Sequence, residues 1–296
     1  MRARVPASAA NLGPGFDVLA LALDLYVEVE VEPAARLTVR ASGEGSDLAA
    51  DATHLAASVA IDVVGHDRLS ITVRSDIPVA RGLGSSAALA VAAAAAAGAR
   101  DPLAVAARVD GHPENAAASV VGGLVAATTV KGAVRAVRLP LDVGLVFVAV
   151  VPERSLATSR ARQALPQQVA RTDATFNLGR LSLLLAGLAD RSLLIREATE
   201  DRLHQDYRSP LFPEAPQMLV RLVTDGALAS CWSGAGPTLL GFCDGANGDQ
   251  VRAKAQAAMA EIGISGRAML LRPDLEGLVV EGDDSGLFDI DGSLRR

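Results

Sequence analysis

The segment Ile77 to Gly98, IPVARGLGSSAALAVAAAAAAG, constrains this chain more than any other. A strand pattern, Leu69 to Ile77, runs into a proline-led loop broken by glycines, and two serines then open an alanine-rich helix. Gly82 and Gly84 let the backbone take positive φ and come close to a ligand. Ser85 and Ser86 fall where a helix begins, where unpaired N–H groups and the positive end of the dipole favour an anion. The pattern reads as a phosphate cradle, although a plain glycine turn with a serine helix cap has the same local sequence. It is not a Walker A loop, which needs GxxxxGK[ST], since no lysine is near. Charge relief for a nucleotide held here would come from the backbone, the helix dipole and a metal. A bulky side chain at Gly84 is expected to block the approach of the nucleotide.

With 296 residues the chain is long enough for one large or two ordinary domains. Half of its residues are apolar and 21% are charged, as in a soluble globular protein. A net charge of −6 argues against a binder of nucleic-acid backbones. Aromatic residues make up only 3%, too few for a base-stacking platform. The opening MRARVPASAANLG lacks the apolar core of a secretory signal. The longest apolar run, Ala87 to Ala99, is shorter than the roughly 18 residues of a membrane span. A cytoplasmic protein with a small-molecule partner, and neither nucleic acid nor membrane, is therefore expected; a homodimer is left open. Cys231 and Cys243 flank the turn SGAGPT; they could pair as a disulfide and are read as reduced core thiols.

Alternation predicts strands over Val5 to Ala9 and Leu25 to Val31, with Arg36 to Ala41 as partner of the VEVEVE ribbon. Helices are predicted over His54 to Val64, over Pro102 to Val109 and from Pro113, where proline suits a first helical position and Glu114 the first turn. Leu124 to Val130 and Ala133 to Leu139 read as a hairpin, and Val143 to Val151 as a strand buried on both faces. A boundary is placed near residues 140–155, giving domains over 1–145 and 146–296. The second half is predicted to hold helices over Thr175 to Ala189, Leu193 to Glu200, Pro216 to Asp225 and Gly248 to Ile262. It also holds a strand–turn–strand around Ser233 to Pro237 and a final strand, Gly266 to Leu271, before a polar tail from Gly282. Strands and helices alternate without a strict βαβ rhythm, which indicates an α+β fold.

Three segments, PASAANLGPGFD (from Pro6), ARGLGSSAA and SGAGPT (from Ser233), resemble the motifs of the GHMP small-molecule kinases. DGHPENAAAS, TSRARQALP and EDRLHQDYRSPLFP are similar to segments of the homoserine kinases within that family. The six run in family order from residue 5 to about residue 240. The resemblance implies an N-terminal S5-like domain, a C-terminal ferredoxin-like domain, and transfer of phosphate from ATP to the hydroxyl of homoserine with Mg²⁺.

Carried over position by position, the nucleotide contacts fall on Pro78, Val79, Ala80, Arg81, Gly82, Leu83, Gly84, Ser85, Ser86, Ala87 and Ala88. Arg81 either neutralises charge there or is solvated. Ser86 and Asp110 are implied as oxygen ligands of magnesium, which prefers hard oxygens and keeps several waters. Asp110 and Glu114 exchange the glutamate and aspartate usual in the family. Glu114 is read as positioning the acceptor or taking its proton. Asn11, Asp17, His112 and Asn115 match positions that face the acceptor, while Arg162 and Arg208 match the carboxylate-binding arginines, a role that suits a planar guanidinium. Arg160 is read as solvated, and Gly13 and Gly15 as turn glycines at special φ/ψ. The SGAGPT turn is implied to support the cradle. Ala20 stands where glycine is frequent, tightening a helix start, and an adenine-holding asparagine is missing near Thr53 and His54. Two other readings stay open: a GHMP kinase for a mevalonate-like or sugar-like acceptor, and a catalytically silent nucleotide- or amino-acid-binding regulator.

Overall fold

Apolar periodicity lays the chain out as two sheets, and the computed structural model describes them over residues 1–281. The polar tail from Gly282 lies outside the described residues. The chain begins with β1 (Arg2–Ala10), β2 (Leu19–Pro33), β3 (Thr38–Gly43), α1 (Leu55–Val64) and β4 (Leu69–Ser75). Three helices follow, α2 (Ser85–Ala96), α3 (Pro102–Asp110) and α4 (Pro113–Val121), then the hairpin β5 (Leu124–Val130) and β6 (Ala133–Leu139). The next stretch is β7 (Leu145–Pro152), α5 (Thr158–Gln163) and α6 (Arg171–Ala189), with 3₁₀ turns over Arg191–Leu193 and Arg196–Thr199. The chain continues through α7 (Gln205–Arg208), a 3₁₀ turn (Ser209–Leu211), α8 (Ala215–Thr224), β8 (Ala229–Trp232) and β9 (Leu239–Asp244). It closes with α9 (Gly248–Ile262), β10 (Gly266–Leu271) and β11 (Val279–Glu281).

The first sheet runs β11-β1-β2-β4-β3, with the β5–β6 hairpin paired to the start of β2. The VEVEVE ribbon is partnered by β4 along its whole length and by β1 over Val27 to Glu30. Arg36 to Ala41 is therefore not its neighbour: β3 lies parallel to β4, and α1 makes the crossover between them. The hydrophobic alternation located the strand correctly, but a crossover helix took it past the nearest edge. Ala20, expected near a helix start, is buried inside β2. Leu193 to Glu200 is not an α-helix but the region of two 3₁₀ turns, which end where Asp201 collects backbone N–H groups.

The second sheet runs β10-β7-β9-β8, all antiparallel, with α8 and α9 packed on one face. Strand β7 is buried at every position. Its odd residues, from Leu145 to Val151, join the larger core; its even residues, Val146, Val148 and Val150, join the second. One continuous apolar run thus serves two cores. After β10 the chain returns, and β11 pairs with β1 at the edge of the first sheet. Cys231 and Cys243 are free, buried thiols on β8 and β9, and burial pushes the Cys243 thiol up to about 12.

Helix α2 sits at the centre of the larger core. Alanine is the strongest helix former and its short side chain permits close approach. Ala92, Ala93 and Ala94 are wholly buried where α2 packs on α1, α3, β1 and β2. This packing fixes the start of α2, and with it the loop that precedes it.

Candidate active site

A cleft of about 290 Å³ opens where α2 begins. Gly84 is the N-cap of α2, at φ 66°, and no side chain caps the helix. The serines are the first helical residues, not the cap. Helices α1 and α3 are instead capped by side chains: Nδ1 of His54 accepts from Ala56 N–H, and Asp101 accepts from Ala104 N–H. The first turn of α2 has no side-chain cap and faces the cleft, the arrangement that draws an anion.

The cradle is held from both sides. Ser8 of β1 donates to the Asn115 side-chain carbonyl at 2.9 Å, and Ser8 N–H donates to Leu83 O. A Cβ on Gly84 would land on Ser8 Oγ and lie 3.0 Å from Ser8 O, so this glycine is required by packing against β1. Ser233 donates to Gly82 O at 2.6 Å, and Thr238 N–H donates to Arg81 O. Arg81 is half-buried and turns its guanidinium to backbone carbonyls. Its guanidinium donates to the carbonyls of Pro152, Val79 and Glu153, tying the loop to the end of β7. Pro78, Leu83, Ala87 and Ala88 are buried and do not line the cleft, whereas Val79, Ala80, Arg81, Gly82, Gly84, Ser85 and Ser86 do.

One end of the cleft is mainly apolar, walled by Val27, Ala41, Leu48, Leu55 and Val73, with His54, Glu44 and Ser75 among them. The other end is polar and carries Asn11, Asp17, His112, Glu114, Asn115, Arg162 and Arg208. Every acceptor-side residue singled out in the sequence therefore borders one space. Glu114 is a buried carboxylate in the first turn of α4, where the helix dipole favours its charge. Asp110 ends α3; its side chain lies outside the described residues.

The loop between β1 and β2 builds the polar wall. Asn11, Leu12, Gly13 and Asp17 all have positive φ, whereas Gly15 does not. Gly15 is needed for space, since a Cβ there would meet Leu19 and the Asn11 carbonyl. Asn11 holds the loop in this conformation: its Oδ1 accepts from Asp17 N–H at 3.0 Å and its Nδ2 donates to Gly234 O at 2.8 Å. Asp17 receives both Nη atoms of Arg162, at 2.6 and 3.1 Å. Arg208, only 1% exposed, donates to the same Gly234 carbonyl and to His204, and its Nε is buried without a partner. Phe16 lies beneath both guanidinium groups, 5.6 Å from Arg208 and 5.7 Å from Arg162. Burial, then the nearby Arg162 charge, weakens the hold of Arg208 on its proton, and the opposing carboxylates Asp17 and Asp201 offset this only in part. Two adjacent cations with unused donors create a demand for an anion.

Sequence reasoning missed four contributors: Ser8, Phe16, the Thr199 carbonyl that closes over Gly13, and His204. Ser8 and Phe16 stand inside the PASAANLGPGFD segment and His204 four residues before Arg208, the signals that could have found them. Burial holds the His204 imidazole well below the ordinary histidine range; Arg208 adds to this, and Asp201, Gly13 and Asp17 oppose it. The Asp201–His204 contact at 3.6 Å is accordingly not an ion pair. An unfolded histidine takes up a proton below about pH 6.5 while the folded ring stays neutral, so stability falls as pH drops through that range. Melting temperature measured from pH 7 to pH 5 should decline, and His204→Gln should flatten the decline. An unchanged slope in the variant would contradict this.

An anion cradle between an apolar pocket and a polar pocket of mixed charge suits an enzyme that brings a phosphate donor to a small polar acceptor, a small-molecule phosphotransferase. Comparison with known proteins agrees. Residues 48–123 match the GHMP kinases N-terminal domain and residues 183–261 the GHMP kinases C-terminal region. The chain is 41% identical over 273 residues to a homoserine kinase of Streptomyces coelicolor, covering 86% of this chain and 88% of that one. It is 37% identical to a homoserine kinase of Moorella thermoacetica, covering 94% and 98%. A crystal structure of homoserine kinase from Cytophaga hutchinsonii superposes with a TM-score of 0.82 at 25% identity, covering 94% of this chain and 96% of that one. The chain belongs to the GHMP kinase family.

Proposed function

We propose that this protein is a cytoplasmic homoserine kinase, moving the γ-phosphoryl group of ATP to the hydroxyl of L-homoserine and so feeding threonine synthesis. The observation that carries the reading is the charge arrangement at the polar end of the cleft. Arg208 is buried with an unpartnered Nε, and Arg162 beside it is paired with Asp17. Homoserine is a zwitterion with a primary hydroxyl. Its carboxylate supplies the anion that Arg208 lacks, and its ammonium competes with Arg162 as partner of Asp17. The ion pair between Asp17 and Arg162 thus acts as a template that a zwitterion exchanges into. An acceptor without the carboxylate leaves the buried Arg208 uncompensated, which costs free energy.

The uncapped N–H groups at the start of α2 would hold the nucleotide phosphates, and the apolar end of the cleft would take the base. The donor set for a divalent cation fits magnesium: Ser86 and Asp110 offer hard oxygens, with phosphate and water completing the shell. When bound, the ion would neutralise charge on the phosphate oxygens during transfer. His112, Asn115 and Asn11 border the acceptor, and Glu114 orients its hydroxyl. Because the transition state is loose, a dedicated base is not required.

Asp110→Asn should raise the magnesium requirement and lower kcat. Glu114→Gln should lose less, since the amide keeps shape and some hydrogen bonding. Titrating kcat against Mg²⁺ for both variants tests the assignment; a nearly dead Glu114→Gln beside a mild Asp110→Asn would invert the roles. For the function as a whole the test is ADP release over an acceptor panel, with and without Mg²⁺. Preferred turnover of mevalonate or a sugar would overturn homoserine as acceptor, and no turnover would point to a silent regulator.

A further inference from the structure

His204 is wholly buried, and its ring is hydrogen-bonded at both nitrogens. Nδ1 lies 2.9 Å from Arg208 Nη1, and Nε2 lies 2.8 Å from Gly13 O. Arginine carries only donors. Nδ1 must therefore accept, which places the ring proton on Nε2, donating to the Gly13 carbonyl. Arg208 Nη1 also donates to Gly234 O, at 2.9 Å, so both of its protons are used. Nε is buried without a partner, and Nη2 makes no hydrogen bond among the described residues. Nε–H and Nη2–H lie on one edge of the guanidinium, the edge that grips a carboxylate side-on. The His204 ring also stacks on Phe16, 5.1 Å between centroids and 22° from parallel. One imidazole thus fixes the rotation of Arg208, the Gly13 turn and the aromatic floor next to Asp17.

We infer that His204 is a positioning residue for acceptor recognition: it pins Arg208 Nη1 and so turns the Nε–Nη2 edge of the guanidinium to the acceptor's carboxylate. The inference rests on the reading of Arg208 as the carboxylate-binding residue. Its backbone support is specific. Asp201 accepts from the N–H groups of Leu203, His204 and Gln205 and from Asn177 Nδ2, so the short helix that His204 caps and that ends in Arg208 cannot turn freely.

The test compares homoserine with 3-aminopropan-1-ol, which is homoserine without its carboxylate, in wild type, His204→Gln and His204→Asn. Glutamine reaches Gly13 but has no acceptor at the Nδ1 position; asparagine keeps an acceptor there. His204→Gln should raise KM for homoserine at least tenfold, with KM for ATP and kcat/KM for aminopropanol changed less than threefold. His204→Asn should retain most of the preference for homoserine. Equal losses on both acceptors in His204→Gln, while wild type prefers homoserine, would overturn the inference and leave the role of Arg208 standing. A wild type that does not distinguish the two acceptors would overturn both. If His204→Gln does not fold, the asparagine variant decides: loss of its homoserine preference contradicts the inference.

Discussion

Arg208→Ala is expected to lower kcat/KM for homoserine by about a hundredfold or more, mostly through KM. Each hydrogen bond to a charged group contributes about 1.5–3 kcal/mol, and about 1.4 kcal/mol is tenfold, so losing a two-bond grip reaches that range. The substitution also releases the Gly234 carbonyl and His204 from a shared partner. Arg162→Ala should cost less, about tenfold or somewhat more by the same arithmetic. Its guanidinium is about a third exposed, at 31%, and already bound to Asp17, so the acceptor gains only the difference between two pairings. Arg208→Lys should rescue little, because an ammonium keeps the charge but not the planar fork. Steady-state kinetics with homoserine and with its decarboxylated analogue decide this. A loss of less than threefold, or equal losses on the two acceptors, would remove Arg208 from carboxylate recognition.

The second large effect concerns the cradle and is one of stability. Gly84→Val puts a β-branched residue at φ 66° and drives its Cβ into Ser8 Oγ. Left-handed strain of about 1–3 kcal/mol adds to overpacking of about 1–3 kcal/mol. In a domain of this size a loss of that order lowers the melting temperature by roughly 10 °C or more. Gly82→Val should behave alike, because a Cβ there overlaps the Ser233 carbonyl oxygen and lies 2.9 Å from that of Gly236. The sequence suggested a different cause, a nucleotide whose approach the side chain blocks. That expectation takes the glycine to face the ligand, whereas its missing side chain faces β1. Calorimetry separates the two accounts: an unchanged melting temperature with lost turnover would favour the ligand-facing one.

What the sequence revealed depended on the distance between partners. The hairpin β5–β6, helix α9 and strand β10 were predicted with their observed bounds, because periodicity and glycine punctuation act within a few residues. The pairing of β3 with β4 was not, since it depends on which edge a crossover helix reaches. Strand β11 and helices α5 and α7 were missed as well. They are three to six residues long and are stabilised by remote contacts, such as the pairing of β11 with β1. The site divides the same way. Loop and acceptor residues stood in motifs that resemblance could carry over. Ser8 meets Asn115 across 107 positions and His204 meets Gly13 across 191, and neither contact leaves a local trace. Arg81 shows the converse: its motif places it at the cradle, yet its side chain braces the loop against Pro152 and Glu153.

Phosphorylation of a zwitterion through its primary hydroxyl is the activity proposed for this cleft. The most direct measurement incubates the purified protein with ATP, Mg²⁺ and L-homoserine and follows the products by phosphorus NMR. The account predicts ADP and a phosphomonoester of homoserine in equal amounts, with no ester formed from the homoserine lactone. ADP release independent of homoserine, or an ester formed equally well from an acceptor lacking the carboxylate, would contradict it.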